Sequence, residues 1–405
     1  MALYRNRAGR AGPAGAASHN AGMDLVTSTP LLGGLSPQAF MRRHWQKKPL
    51  LIRQAVPSAA PWLSRAQMFE FAASDAVESR VVEQRGGRWA LRHGPFKRSA
   101  LPALKQRGWT LLVQGLDLHL EAARGLLDRF RFIPDARLDD VMVSYASDGG
   151  GVGPHVDSYD VFLLQTLGMR RWRVGRVREP EFEPGVPLKI LQGFEPEHDW
   201  LLAPGDMLYL PPGWGHDGVA EGECMTCSIG FRAPGREELG REVLQRMLDA
   251  AEPPATNRLY RDASEGATAA PGRIPTALHA FAADAVARVL AADPGARACS
   301  LGELLSEPKP GVTFEPADGV VAAPFGARLD RRSRMLYDDA FVFINGESYR
   351  AAGRDAALMR GLADRRQLTP RECRALTIPA QSLLVEWLQA GWLQPLSASD
   401  EGASR

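Results

Sequence analysis

The sequence predicts an α+β protein in three parts: short strands closing a barrel or sandwich, a helical stretch, and a small α+β unit at the end. Three observations carry this. From Ser144 to Arg232, short β-rich runs (DVFLLQ, RRWRVG, LKILQG, DMLYLPP, CMTCSIGF) alternate with Gly/Pro turns. From Gly235 the pattern becomes helical, with Leu239, Val243, Leu244, Met247 and Leu248 on one stripe and a second helix in Pro275 to Asp293. After the punctuation SEPKPG, which reads as a linker, comes a hairpin in FVFINGESYR turning at Asn345-Gly346. The last helix, SLLVEWLQAG, places Leu383, Leu384, Trp387 and Leu388 on one face and ends on Gly391.

The earlier elements follow from local signals. Ser36-Pro37 combines an N-cap with proline at the first helical position and opens a helix through about Trp45. Pro49 to Gln54 (PLLIRQ) reads as a strand. Ser64 with Gln67 forms a capping box before MFEFAAS. RVVEQRGGRWALRHG reads as a hairpin turning at Gly86-Gly87. Thr110 to Gln114 and Asp140 to Ala146 are further strands, with a helix in HLEAARGLLDRF between them.

The bulk properties exclude several classes. The 405 residues suffice for two or three domains. With 49 basic and 47 acidic residues the net charge is +2, so charge alone announces neither a nucleic acid nor a membrane surface. No apolar run approaches the ~20 residues of a membrane helix. Four scattered cysteines cannot frame a disulfide fold, which implies a reducing cytosol. The lone pair Cys224 and Cys227 sits in a strand-like run and reads as buried thiols rather than a zinc or redox motif. Residues 1–22 are basic and small and lack the apolar core of a secretory signal. They predict a disordered extension, and a translation start at Met23 accounts for them equally well.

The stretch SDGGGVGPHVDSYDVFLLQ concentrates the chemistry. Its glycines do not form a phosphate loop: there is no GxxxxGK[ST], and a strand-like run follows Gly153-Pro154 where a dinucleotide fingerprint needs a helix. In a strand, residues two apart share a face, so His155 and Asp157 present an imidazole and a carboxylate together. A third ligand comes from PGDMLYLPPGWGHDG, where a turn, a strand and Pro-Pro-Gly lead to His216. Two histidines and one carboxylate make the facial triad of non-haem Fe(II), which leaves positions open for a bidentate oxo-acid and dioxygen. His44, His93, His119, His198 and His279 read as structural, with His93 the one to watch on a substrate side.

If the oxo-acid is 2-oxoglutarate, its far carboxylate needs a fixed cation. In MRRWRVG, alternation places Arg170, Trp172 and Val174 on one face and Arg171 and Arg173 on the other. Arg170 therefore points inward as the anchor, and Arg171 and Arg173 are solvated. Ser144, at the end of the strand before the glycines, can add a hydroxyl.

The runs GGGVGPHVDSYDVFLLQ, GMRRWRVG, APGDMLYLPPGWGHDG and GFRAP, with HWQKKPLLIR and RHGPF, closely resemble the bacterial ribosomal oxygenases, from about Leu32 to Pro234 and more loosely beyond. These are JmjC-type, cupin-barrel oxygenases that hydroxylate the β-carbon of an arginine in a large-subunit ribosomal protein. The resemblance implies a double-stranded β-helix in residues 23–234, a helical dimerisation region in 235–305 and a winged-helix-like domain in 306–405. It implies that His155, Asp157 and His216 bind Fe(II), that Arg170 and Ser144 bind 2-oxoglutarate, and that O2 is consumed. Thr226 and Ser228 are further candidates beside the co-substrate. A cytoplasmic homodimer that binds no DNA directly is expected. A guanidinium substrate calls for a carboxylate, for which Asp148, Asp160 and Asp217 are the candidates near the motifs. Two other readings are a same-fold oxygenase with another substrate, and a regulator joining a cupin sensor to a DNA-reading winged helix. The helix SLLVEWLQAG, without arginine or lysine, speaks against the regulator.

Overall fold

The computed structural model describes residues 24–57, 62–251, 258–263, 266–268, 270–291, 295–316 and 326–396. The extension expected in residues 1–22, and Met23, lie outside them. The described residues divide into two compact units. One holds residues up to 233 with 309–333 and 366–396, and the other holds 234–308 and 334–365. This division by contacts is interleaved along the chain.

The larger unit is built on ten strands. They are β1 (Leu50–Ile52), β2 (Ser79–Arg85), β3 (Arg88–His93), β4 (Trp109–Val113), β5 (Leu138–Ala146), β6 (His155–Val156), β7 (Asp160–Arg176), β8 (His198–Leu202), β9 (Met207–Leu210) and β10 (Trp214–Phe231). All pairings are antiparallel, in the order β1-β9-β7-β10-β5-β4-β2-β3, with β6 added on β10 and β8 on β7. The runs DVFLLQ and RRWRVG, read separately in the sequence, are two halves of the single strand β7, and CMTCSIGF is the second half of β10. The reason is Gly168, which reads as a turn but sits inside the strand. Its φ is +59°, and a Cβ there would lie 2.0 Å from the Glu223 carbonyl oxygen. β7 and β10 pair along their length, with the register shifting between Glu221 and Met225. One half of each joins β9 and β5, and the other half joins β8 and β6. LKILQG forms only an isolated bridge, Phe182 to Leu191.

Both faces of these strands are buried, and alternation sorts them. Phe162, Leu164, Tyr209, Cys227, Ile229 and Phe231 join the main core. Helix α1 (Pro37–Arg43), α2 (Arg65–Ala72) and α3 (Glu121–Asp128) cover it through Phe40, Met68 and Leu127. Val161, Leu163, Leu208 and Leu210, one residue out of step, face a second cluster with Trp172, Val174, Leu202 and Trp214. Each such side chain contributes about 1.5–3 kcal/mol by leaving water. The Ser64–Gln67 capping box and the Ser36 cap are present as expected. Cys224 and Cys227 are buried free thiols.

The other unit contains α4 (Arg236–Ala250), α5 (Thr276–Ala291), α6 (Ala296–Ser306), the sheet β12 (Met335–Tyr337), β13 (Phe341–Ile344) and β14 (Glu347–Arg350), and α7 (Gly353–Arg365). The β13–β14 hairpin turns at Asn345 and Gly346, both at positive φ. The α4 stripe is not buried: Leu244 and Leu248 are exposed. The remaining strands, β11 (Gly326–Leu329), β15 (Gln367–Leu368) and β16 (Leu393–Leu396), form a sheet with α8 (Pro370–Ala375) and α9 (Ile378–Gln389) in the larger unit. There Leu384, Trp387 and Leu388 of α9 are buried on the expected face.

Candidate metal and oxo-acid site

His155 on β6 and His216 on β10 are directly paired in register, with ring centroids 4.2 Å apart. Asp157 Oδ2 lies 4.0 Å from His155 Nε2 and 3.6 Å from His216 Nε2. One ligand atom from each residue falls within 4.8 Å of the others, and no further group of this kind occurs among the described residues. Pairing explains the convergence: β6 leaves the glycine loop alongside the start of β10. The loop is pressed against its neighbours, since a Cβ on Gly151 would lie 2.5 Å from the Gly218 carbonyl oxygen. The glycines permit this close approach.

Backbone carbonyls orient both imidazoles. His155 Nδ1 lies 2.9 Å from the Gly153 carbonyl oxygen, and His216 Nδ1 lies 3.1 Å from that of Trp214. A carbonyl can only accept, so each Nδ1 carries the proton and each Nε2 offers its lone pair to the common point. Burial, aided by the facing His155 ring, pushes His216 down to about 4, so this ring is neutral at pH 7. Two imidazole nitrogens and one carboxylate fit a divalent metal that keeps open positions.

Arg170 lies on the same face of β7 as Trp172 and Val174, and all three are buried, while Arg171 and Arg173 between them are exposed. Its Nη1 donates to Ser144 Oγ at 3.1 Å and to Thr226 Oγ1 at 3.3 Å. Thr226 Oγ1 in turn donates to Gln165 Oε1 at 2.9 Å. The guanidinium stands 5.4 Å above the Trp172 ring, and that ring lies 5.8 Å from His216. Trp172 therefore links the cation to the His216 imidazole. Among the described residues no carboxylate pairs with Arg170, and its Nε has no hydrogen-bond partner. A buried cation held only by neutral hydroxyls calls for an anionic ligand. The exposed arginines behave as expected: Arg171 pairs with Asp199 and Glu221.

The acidic candidates do not face this chamber. Asp148 pairs with Arg107 and accepts the Gly222 backbone N–H. Asp160 is a buried structural acid that accepts from Tyr209, Gln46 and Arg137. Asp217 follows His216 in the strand, so it points the opposite way and pairs with Arg173. That outer face borders a pocket of about 260 Å³ with Trp89 and Phe194 in its wall. His93 is exposed at the end of β3. A further buried acid, Asp140, lies two alternations before Ser144 on β5. Asp140 accepts from Gly115 N–H and, with Asp139, holds Lys309 at 2.9 and 3.1 Å. The linker around Pro308 thus carries an anchoring cation. Tyr159 was also missed. It is half-buried against the chamber wall, and burial together with the Asp157 carboxylate pushes its hydroxyl far up.

Residues 125–239 match the family model of the JmjC domain, and residues 290–394 match that of the ROXA-like winged helix. The chain is 41% identical over 214 residues to the ribosomal protein uL16 3-hydroxylase of Escherichia coli, covering 52% of this chain and 57% of that protein. It is 38% identical over 209 residues to a probable ribosomal oxygenase of Haemophilus influenzae, covering 51% and 52%. The match thus spans just over half the length of these curated relatives. The crystal structure of the Escherichia coli ribosomal oxygenase YcfD superposes with a TM-score of 0.74 at 30% identity, covering 89% of this chain and 98% of that one. The structure of that protein with cobalt and 2-oxoglutarate gives a TM-score of 0.72 at 29% identity, covering 90% and 99%.

Proposed function

The chain belongs to the ribosomal oxygenases, and from that premise we propose that it is an Fe(II)- and 2-oxoglutarate-dependent hydroxylase of a large-subunit ribosomal protein. In this reading His155, Asp157 and His216 hold the iron, and Arg170, with Ser144 and Thr226 beside it, holds the far carboxylate of 2-oxoglutarate. The observation that carries it is the buried, carboxylate-free Arg170 guanidinium on the same strand face that approaches His216 through Trp172.

Bound together, Fe(II), 2-oxoglutarate and dioxygen supply the oxidising power that places a hydroxyl on a C–H carbon, with succinate and carbon dioxide as by-products. The chain does the rest. The Gly153 and Trp214 carbonyls fix both histidine tautomers. Val161, Leu163, Leu202, Leu208 and Leu210 make the chamber wall apolar and keep bulk water from the reacting carbon. The substrate proposed is an arginine, hydroxylated at its β-carbon. The protein is proposed to act in the cytoplasm. No helix among the described residues is long and apolar enough to cross a membrane. A homodimer through the helical region is proposed as well. The exposed Leu278, Val286, Val289 and Leu290 of α5 support it, and light scattering tests it.

The test of the main reading is incubation with Fe(II), 2-oxoglutarate, air and a peptide from the arginine-containing loop of that ribosomal protein. Mass spectrometry should find one added oxygen, lost in His155→Ala. Consumption of 2-oxoglutarate without peptide oxidation would move the substrate elsewhere. No consumption by iron-loaded protein would overturn the enzyme reading.

A further inference from the structure

The Trp172 indole is buried, at 5% exposure, and its Nε1–H has no acceptor among the described residues. A buried donor without a partner is costly, and such groups in native structures have a reason. Here the surroundings indicate one. Trp172 pairs in register with Gly218 across β7 and β10. A Cβ on Gly218 would meet Cη2 and Cζ3 of the ring at 2.6 Å and Cε3 at 2.9 Å. The Cε3–Cζ3–Cη2 edge therefore lies against the β10 backbone, and the opposite edge, which carries Nε1, turns away from that strand. The ring sits between the Arg170 guanidinium and His216. Two unpartnered donors, Arg170 Nε and Trp172 Nε1, thus stand on one face of one strand, two residues apart.

We infer that the Trp172 indole N–H is a positioning donor to the carboxylate of 2-oxoglutarate that Arg170 binds. The inference rests on the reading of the chamber as a 2-oxoglutarate site. A carboxylate has about four lone-pair positions, and a guanidinium fork fills two. The end of the ligand on the metal has its oxygens engaged there, so the far carboxylate is the acceptor with capacity left. The N–H holds that carboxylate in the plane the fork requires, and the indole face fixes the guanidinium.

The test uses the full chain with Zn(II) as a diamagnetic metal and 15N-labelled tryptophan. Nine tryptophans give nine indole N–H signals, and Trp172→Phe identifies the relevant one. Saturating 2-oxoglutarate should move that signal downfield. 2-Oxopentanoate, which lacks the far carboxylate, should leave it in place. By calorimetry, Trp172→Phe should weaken 2-oxoglutarate binding roughly ten- to a hundredfold, the contribution of one hydrogen bond to a charged acceptor. It should leave 2-oxopentanoate binding unchanged. If the wild type binds 2-oxoglutarate but the Trp172 signal does not move, the inference is overturned and the chamber reading stands. If the wild type does not bind 2-oxoglutarate at all, the chamber reading itself fails. Equal weakening for both ligands in Trp172→Phe would make the ring a structural wall only.

Discussion

Arg170→Met separates ligand binding from folding. In the ligand-free protein the guanidinium is desolvated and unpaired, and its Nε is unsatisfied. Replacing a buried charge by an apolar side chain of similar length is neutral or stabilising by about 1–4 kcal/mol. Little opposes that gain. Ser144 and Thr226 only accept from Arg170, and each donates elsewhere, to the Thr226 carbonyl and to Gln165. The substitution leaves no orphaned donor and removes one contact over Trp172, worth about 0.5–2 kcal/mol. The metal-free variant should therefore melt at or above the wild-type temperature. Binding should change far more. Two charge-assisted hydrogen bonds to a carboxylate, at about 1.5–3 kcal/mol each, correspond to a Kd rise of between about a hundredfold and ten-thousandfold. Calorimetry with 2-oxoglutarate and Mn(II) measures the second effect, and thermal unfolding measures the first. Arg170→Lys should fall between, since it keeps the charge and loses the fork. A large drop in melting temperature with unchanged affinity would show that Arg170 is a strut and refute the argument from its missing carboxylate.

Three further outcomes follow from the same geometry. Asp157→Ala should lower Co(II) affinity by more than about a hundredfold, read from the cobalt absorption bands, because it removes a whole ligand where loss of a supporting group already costs 10–100-fold. Lys309→Met should cost about 2–3 kcal/mol in urea unfolding at pH 7, because it leaves the buried Asp140 without its cation and Asp139 with Arg232 alone. In the wild type, Lys309 with Arg232 holds Asp139 below its ordinary value despite burial, so that stability is present above about pH 4 and lost as pH falls through the lowered value. The deficit of the variant should hold down to about pH 4 and shrink below it, and one independent of pH would contradict the pairing. Tyr209→Phe removes a 2.6 Å hydrogen bond to the buried Asp160 and should cost about 1–3 kcal/mol, with 2-oxoglutarate affinity unchanged. A change in affinity would couple Asp160 to the chamber, against its place beside Tyr209 and Gln46 on the side of the main core.

What the sequence made legible is what period-two alternation encodes. His155 and Asp157 share a face because they are two apart, and Arg170 could be chosen over Arg171 and Arg173 by its company with Trp172 and Val174. Convergence of His216 required only that a later strand pair beside β6, which the turn-rich spacing permits. The extent of the strands was not legible. Gly168 interrupts β7 with a residue that elsewhere ends a strand, and only the pairing with β10 shows that the chain continues. The acidic candidates failed for a reason that the same alternation contains. Asp217 is adjacent to His216, and adjacent strand residues face opposite sides, so nearness in sequence guaranteed the wrong direction. Counting back by twos from Ser144 reaches Asp140, which is buried and ion-paired rather than aimed at a substrate. Its partner, Lys309, could not be found this way, because that pairing joins strand β5 to a loop far along the chain. Local period therefore specifies which way each side chain of the site points, and long-range pairing specifies what it meets there. Arg170 and Trp172 are the instructive pair: their direction is written in six residues of sequence, while their want of acceptors appears only once β7, β8 and β10 have closed around them.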